Sequence, residues 1–196
     1  MWASSGADEQ PLRWKRPRLA AIVSAILSLA VGCGGGPPDW RTAPDLQFVD
    51  VSGARRSLEE FEGSVVLLSF LDLRASGAHD PSKSQTVFLR SMARQYGSQG
   101  LSVVVVASVR DARSTDAARL LNLIHDWELG EVVLLRDEHS RARSAYGVRR
   151  QPTTFLIDSQ RFVRWQREGF APAQELATAI ESVLSDRAST KARKAS

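Results

Sequence analysis

Two unbroken apolar runs limit the fold more than anything else in the chain. Val65 to Leu71 and Leu101 to Val109 are almost continuously aliphatic, interrupted only by small side chains. A strand with one wet face alternates apolar and polar residues, whereas a strand covered on both faces does not. Runs of this length therefore mark central strands sandwiched between helices, with parallel pairs among them. The sequence between them supplies a helix: Asp80-Pro81 sets a cap and a first-turn proline, Val87, Phe88, Met92 and Tyr96 follow at helical spacing, and Gly97 closes it.

The remaining pattern extends this plan in both directions. Leu46–Val49 and Arg55–Leu58 flank Ser52-Gly53 and predict a short hairpin ahead of the first central strand. Ala117, Leu120, Leu121, Ile124 and Trp127 predict a second helix, capped near Ser114. Val132–Leu135, a short helical piece over Arg141–Tyr146, Thr153–Asp158 and Phe162–Gln166 come next, with Asp158–Arg161 as a hairpin turn. Leu176, Ala177, Ile180, Val183 and Leu184 make the apolar stripe of a last helix that starts after Pro172. The order β-β-β-α-β-α-β-α-β-β-α describes one α/β domain over residues 43–186. Residues 33–42 read as a Gly/Pro-rich flexible linker and 187–196 as a disordered basic tail.

Charge excludes one class of partner. The 196-residue chain carries a formal +4, but residues 1–32 hold an excess of two positive charges and residues 187–196 an excess of four. Residues 33–186 are thus negative by two, and nucleic acid is not an expected partner. The N-terminal segment has its own logic. Arg13, Lys15, Arg16 and Arg18 precede an uncharged run from Leu19 to Gly32, 14 residues long. That is short of the ~20 residues a spanning helix needs and has the layout of an export signal. Its end, Leu29-Ala30-Val31-Gly32-Cys33, resembles a bacterial lipobox, although Ala30 stands where leucine is usual. The resemblance implies cleavage before Cys33, lipid attachment to its sulfur, and a lipid-anchored, extracytoplasmic protein of the cell envelope.

Two stretches carry a wider resemblance. Ala43-Pro44-Asp45, Leu58-Glu59-Glu60-Phe61-Glu62-Gly63 and Val65–Phe70 form the first. Ala145-Tyr146-Gly147-Val148 with Gln151-Pro152-Thr153-Thr154-Phe155-Leu156-Ile157-Asp158 forms the second. Together they resemble the TlpA-like and redoxin (AhpC/TSA-type) branch of the thioredoxin superfamily, over essentially all of residues 43–186. The resemblance implies a thioredoxin-like α/β fold, a central mixed sheet flanked by helices with an N-terminal β-hairpin extension. It also implies a cis Gln151–Pro152 bond facing the site.

The resemblance further implies a Cys-x-x-Cys pair at a helix N-terminus, where thiolate character is raised. Counting from Phe70 puts both cysteine positions on alanine, Ala75 and Ala78, with Ser76 and Gly77 between them. Cys33 is the chain's only cysteine and precedes the domain. Thiol–disulfide exchange and peroxiredoxin chemistry both need a thiolate, so a redox-inactive, non-enzymatic protein or peptide-binding module is expected. The alternative is a thiol–disulfide oxidoreductase or peroxiredoxin-like antioxidant enzyme, the label that the family by itself would assign. A Ser76 nucleophile would need a base. His79 lies three residues away, but no further acid–base set accompanies it. His79, His125 and His139 fall on three different elements without metal-ligand spacing, so neither metal nor cofactor is expected. What remains is a binding surface. It comprises Arg74, Ser76, Gly77 and His79 from one loop and Arg149, Arg150, Gln151, Pro152 and Thr153 from the other. Three arginines there would suit an anion, though they read more readily as ordinary solvated charges.

Overall fold

A computed structural model describes residues 41–72, 80–109, 121–122, 124–126 and 128–195. Among the described residues, seven strands run in the order β1 (Gln47–Asp50), β2 (Arg55–Ser57), β3 (Val65–Leu71), β4 (Leu101–Val109), β5 (Val133–Glu138), β6 (Thr153–Ile157) and β7 (Val163–Glu168). The helices α1 (Pro81–Tyr96), α2 (Arg141–Ala145) and α3 (Ala173–Ala195) accompany them. Residues 121–122 and 124–126 are also helical, and Ser114 lies outside the described residues. In space the strands are ordered β2-β1-β5-β4-β3-β6-β7. Pairs β3–β4 and β4–β5 are parallel, and the other four are antiparallel.

Both apolar runs are central strands, with the bounds the sequence predicts. Every residue of β3 is buried, and its alternate side chains feed two cores. Val65, Leu67 and Leu71 join Leu89, Met92 and Tyr96 of α1 and Leu176, Ile180 and Val183 of α3. Val66, Leu68 and Phe70 point the other way, to Phe48, Tyr146 and Phe155.

The start of α1 is built as its sequence dictates. The Asp80 carboxylate accepts from the backbone N–H groups of Ser82 (2.8 Å) and Lys83 (3.3 Å), and Pro81 occupies the first turn. The predicted apolar stripe is corrected at one position. Val87 is half exposed, while Ser82, Gln85, Thr86, Leu89, Met92 and Tyr96 are buried. That inner face recurs every three or four residues, and Val87 falls out of phase with it.

The C-terminal segment differs more. The tail expected after Asp186 is helical as far as Ala195, as the continuation of α3. Alanine, lysine and arginine are strong helix formers, and they predominate between Arg187 and Ala195. Once the core-facing half has nucleated the helix, each further residue adds a hydrogen bond without a new nucleation cost.

The β1–β2 turn rests on Asp50, whose Oδ1 accepts from the Ser52 hydroxyl (2.6 Å), the Ser52 N–H (2.8 Å) and the Ala54 N–H (3.0 Å). These bonds, led by the Ser52 hydroxyl, hold its pKa below the ordinary 3.8. A depressed folded pKa means the contribution is present above the unfolded value and lost as pH falls through the folded one. The stability difference between the native chain and Asp50→Asn, measured by urea unfolding, should therefore shrink as pH is lowered below about 4. A difference that is constant from pH 7 to pH 3 would contradict this.

Candidate functional site

The site lies where β3 ends, β6 begins and α1 starts. Phe70 pairs with Thr153 in the β3–β6 ladder, so the loop before β6 stands beside the chain leaving β3. The peptide bond Gln151–Pro152 is cis. Several hydrogen bonds hold this loop. Arg143 of α2 donates to the carbonyls of Val148 (3.2 Å) and Arg149 (3.0 Å). The Thr153 hydroxyl donates to the Arg150 carbonyl at 2.6 Å. The Gly169 N–H donates to the Pro152 carbonyl at 2.8 Å. Gly169 does so at φ +85°, a conformation that favours glycine. Beneath the loop, the buried hydroxyls of Ser69 and Thr154 lie 2.9 Å apart and bond across β3 and β6.

Of the expected contact residues, Arg150 is exposed, Gln151 is half-buried, and Pro152 and Thr153 are buried. Thr153 therefore shapes the loop through its hydroxyl and does not offer it to a partner. Arg149 is exposed as well. Arg74, Ala75, Ser76, Gly77, Ala78 and His79 lie outside the described residues, as does Cys33. The described part of that connection is tied to the helix, for the Asp72 N–H donates to the Ser82 hydroxyl at 3.1 Å. His125 has a side chain 92% exposed. His139 is exposed. No group of three His, Cys, Asp or Glu side chains that could hold a metal ion occurs among the described residues.

Sequence reasoning missed the residue that braces the site. Gln85 is fully buried in α1. Its Nε2 donates to the Ala171 carbonyl (3.3 Å), and its Oε1 accepts from the Ala171 N–H (2.7 Å). Ala171 lies two residues beyond Gly169, so α1 and the Pro152 loop are joined through one short segment. A lone polar residue on an amphipathic helix gives no signal of such a role. Gln85→Leu leaves both backbone groups of Ala171 unpaired in the interior. We expect it to cost about 2–4 kcal/mol and to speed amide exchange at Gly169. A loss under half a kcal/mol by urea unfolding would refute that role. Next to this brace, Phe88 packs on Phe170 with ring centroids 5.4 Å apart, and Val87 and Phe170 stay partly exposed. An apolar margin thus accompanies the segment that holds Pro152.

Comparison with known proteins agrees with this architecture. A family model described as the AhpC/TSA family matches residues 41–166. No curated protein shows significant similarity to the chain. Among solved structures, a protein described as a thiol:disulfide interchange protein DsbE, from Chlorobium tepidum, is 29% identical with a TM-score of 0.62. That match covers 74% of this chain and 96% of the other. A hypothetical protein from Sinorhizobium meliloti 1021 is 25% identical with a TM-score of 0.62, covering 75% and 84%. The exposed lipoprotein thioredoxin of Streptococcus pneumoniae strain TIGR4 shares the fold at 22% identity, with a TM-score of 0.58 and coverage of 70% and 99%. The fold is thioredoxin-like.

Proposed function

We propose that this chain, which belongs to the AhpC/TSA family, is a redox-inactive thioredoxin-like module of the bacterial cell envelope. In this reading, lipid on Cys33 holds it to a membrane, and the Pro152 end of its sheet binds an extended peptide or a protein partner.

One observation carries the reading: the chain has a single cysteine, Cys33. The thiolate is the attacking species in disulfide exchange and peroxide reduction alike. With alanine at positions 75 and 78 and no cysteine after Cys33, neither reaction has a thiol within the domain. The family and a neighbour described as a thiol:disulfide interchange protein favour the oxidoreductase reading, but its chemistry has no nucleophile here. The binding surface is supported by the bracing of the Pro152 loop and by the apolar Phe88–Phe170 margin beside it. No helix among the described residues is long and apolar enough to cross a membrane; attachment in this reading is through the lipid on Cys33.

Three measurements on the native protein test the parts separately. Intact mass after membrane extraction should show loss of residues 1–32 and a diacylglyceryl adduct. Insulin reduction and thiol-dependent peroxide consumption should run at the rate without protein. A photoreactive residue at position 76, used in native membranes, should capture an envelope protein that the same probe at position 159 does not. Turnover comparable with a Cys-x-x-Cys relative would restore the oxidoreductase reading. Identical capture from both positions would remove the binding site.

A further inference from the structure

The helix α3 changes character along one face. Leu176, Ile180 and Val183 are buried in the core, and the same three- and four-residue spacing continues through Arg187, Lys191 and Lys194. At 100° per residue all six positions fall within one narrow sector of the helix. The face that is apolar where it covers the sheet becomes basic where the sheet ends. That end is marked by Arg187, whose Nη1 lies 3.4 Å from the carbonyls of Gln99 and Gly100. Gly100 adjoins β4, and its carbonyl accepts from Val65 at the start of β3. Beyond Arg187 the helix continues to Ala195, roughly 12 Å at 1.5 Å per residue.

Between Arg187 and Ala195 stand four basic residues and no acidic one. Three acids elsewhere at this end have partners, while Glu62 is exposed and Asp186 directly precedes Arg187 on the helix. Glu59 pairs with Arg161 at 3.6 Å, Glu60 with Arg56 at 2.6 Å, and Glu181 accepts from the Tyr96 hydroxyl at 2.6 Å. The chain also joins the sheet here. Ala43 donates to the Arg161 carbonyl and Thr42 bridges Phe162, next to the β6–β7 turn. Residues 33–40 can span at most about 28 Å when extended, so lipid at Cys33 would keep this end near the bilayer. The Pro152 loop lies at the opposite end of β6.

We infer that the basic end of α3 is a contact for an anionic lipid surface, which turns the Pro152 end of the sheet away from the membrane. The inference builds on the lipid-anchored reading, but its test does not use the anchor. Both cores lie within residues 43–183, so residues 33–196 with Cys33→Ser keep both cores. This protein should sediment with vesicles of phosphatidylglycerol and phosphatidylcholine (3:7) and not with phosphatidylcholine alone. Binding should weaken steeply between 50 and 300 mM salt. Changing Lys191, Arg193 and Lys194 to glutamine should reduce it roughly a hundredfold, about fivefold per charge, with an unchanged melting temperature. A fluorophore on Thr190→Cys, whose position adjoins this sector, should be quenched by brominated lipid, and one on Arg150→Cys should not. Unchanged partitioning of the triple variant, equal quenching at both positions, or tighter binding to duplex DNA than to the vesicles would each overturn the inference. Failure to find lipid on Cys33 would instead overturn the anchoring and leave the vesicle result standing.

Discussion

Replacing Phe155 with alanine is expected to destabilise the domain by about 3–5 kcal/mol, a large part of the 5–15 kcal/mol that holds a typical domain folded. Phe155 is fully buried in β6. Its ring meets Phe70 edge-on at 5.9 Å and Tyr146 at 5.2 Å, and Phe70 and Tyr146 are 5.4 Å apart. The Arg41 guanidinium lies 5.4 Å from the centre of the same ring. Truncation removes the ring's transfer energy, its aromatic contacts and the surface that Arg41 covers. The surrounding strands cannot collapse into the gap, because β6 is hydrogen-bonded on both sides. Phe155→Leu, which keeps most of the volume, should cost much less.

Tyr146 provides an internal comparison. Burial pushes its hydroxyl well above the ordinary range, and that hydroxyl donates to the Pro44 carbonyl at 3.2 Å. Tyr146→Phe should cost about 1 kcal/mol. Urea unfolding followed by circular dichroism measures all three variants. If Phe155→Ala lost no more than Tyr146→Phe, the aromatic trio would not be the centre of this core.

The second large effect is a gain. Ala75→Cys with Ala78→Cys should create a disulfide under mild oxidation in a protein that otherwise has no thiol in its domain. Positions that match a Cys-x-x-Cys pair bring their Cβ atoms within the 3.5–4.5 Å a bridge requires. The new pair should reduce insulin measurably, yet more slowly than a natural relative. The start of α1 gives the reason. Pro81 has no N–H to offer, and the Asp80 carboxylate already takes those of Ser82 and Lys83. A thiolate beside this helix end would meet a negative charge and fewer free donors. Its pKa should lie nearer 8.5, the value of a free cysteine, than the ~7 of thioredoxin. Asp80→Asn in the same background should lower it. The control pair Leu73→Cys with Ser76→Cys should bridge poorly. Failure of the 75/78 pair to bridge, with normal circular dichroism, would show that the alignment of this loop is wrong.

How much could be read from the residues depended on how each is buried. β3 and β4 were legible to the residue because both of their faces are covered, which leaves an uninterrupted apolar run. β5 extends three residues past Leu135. Arg136 and Asp137 look like a loop in the sequence, but both are buried and paired in the ladder. Asp137 is there to cap α2, accepting from Ala142 (2.8 Å) and Arg143 (2.9 Å). β7 likewise runs to Glu168 although its last residues are polar, because β6 supplies the pairing. At the site, the proline and its neighbours were visible through a family pattern. The Gln85–Ala171 brace was not, since its partner is a backbone with no sequence identity. Nor was the helical end of α3, where propensity alone, without apolar periodicity, carries the structure.

The short antiparallel contact at the edge of β7 has a mechanical consequence. Any pull on the chain from before Arg41 reaches this clamp before it reaches the sheet. Ala43 holds the Arg161 carbonyl (2.7 Å), Val163 holds that of Arg41 (3.0 Å), and the Arg41 side chain grips Gln166 (2.8 Å). These bonds can yield while β6 and β3 stay paired, at the cost of drawing Ala43 out of the margin of the second core. The clamp is therefore a release point under load: tension on the N-terminal side would peel three residues from an edge and leave the domain, and its Pro152 end, in working order.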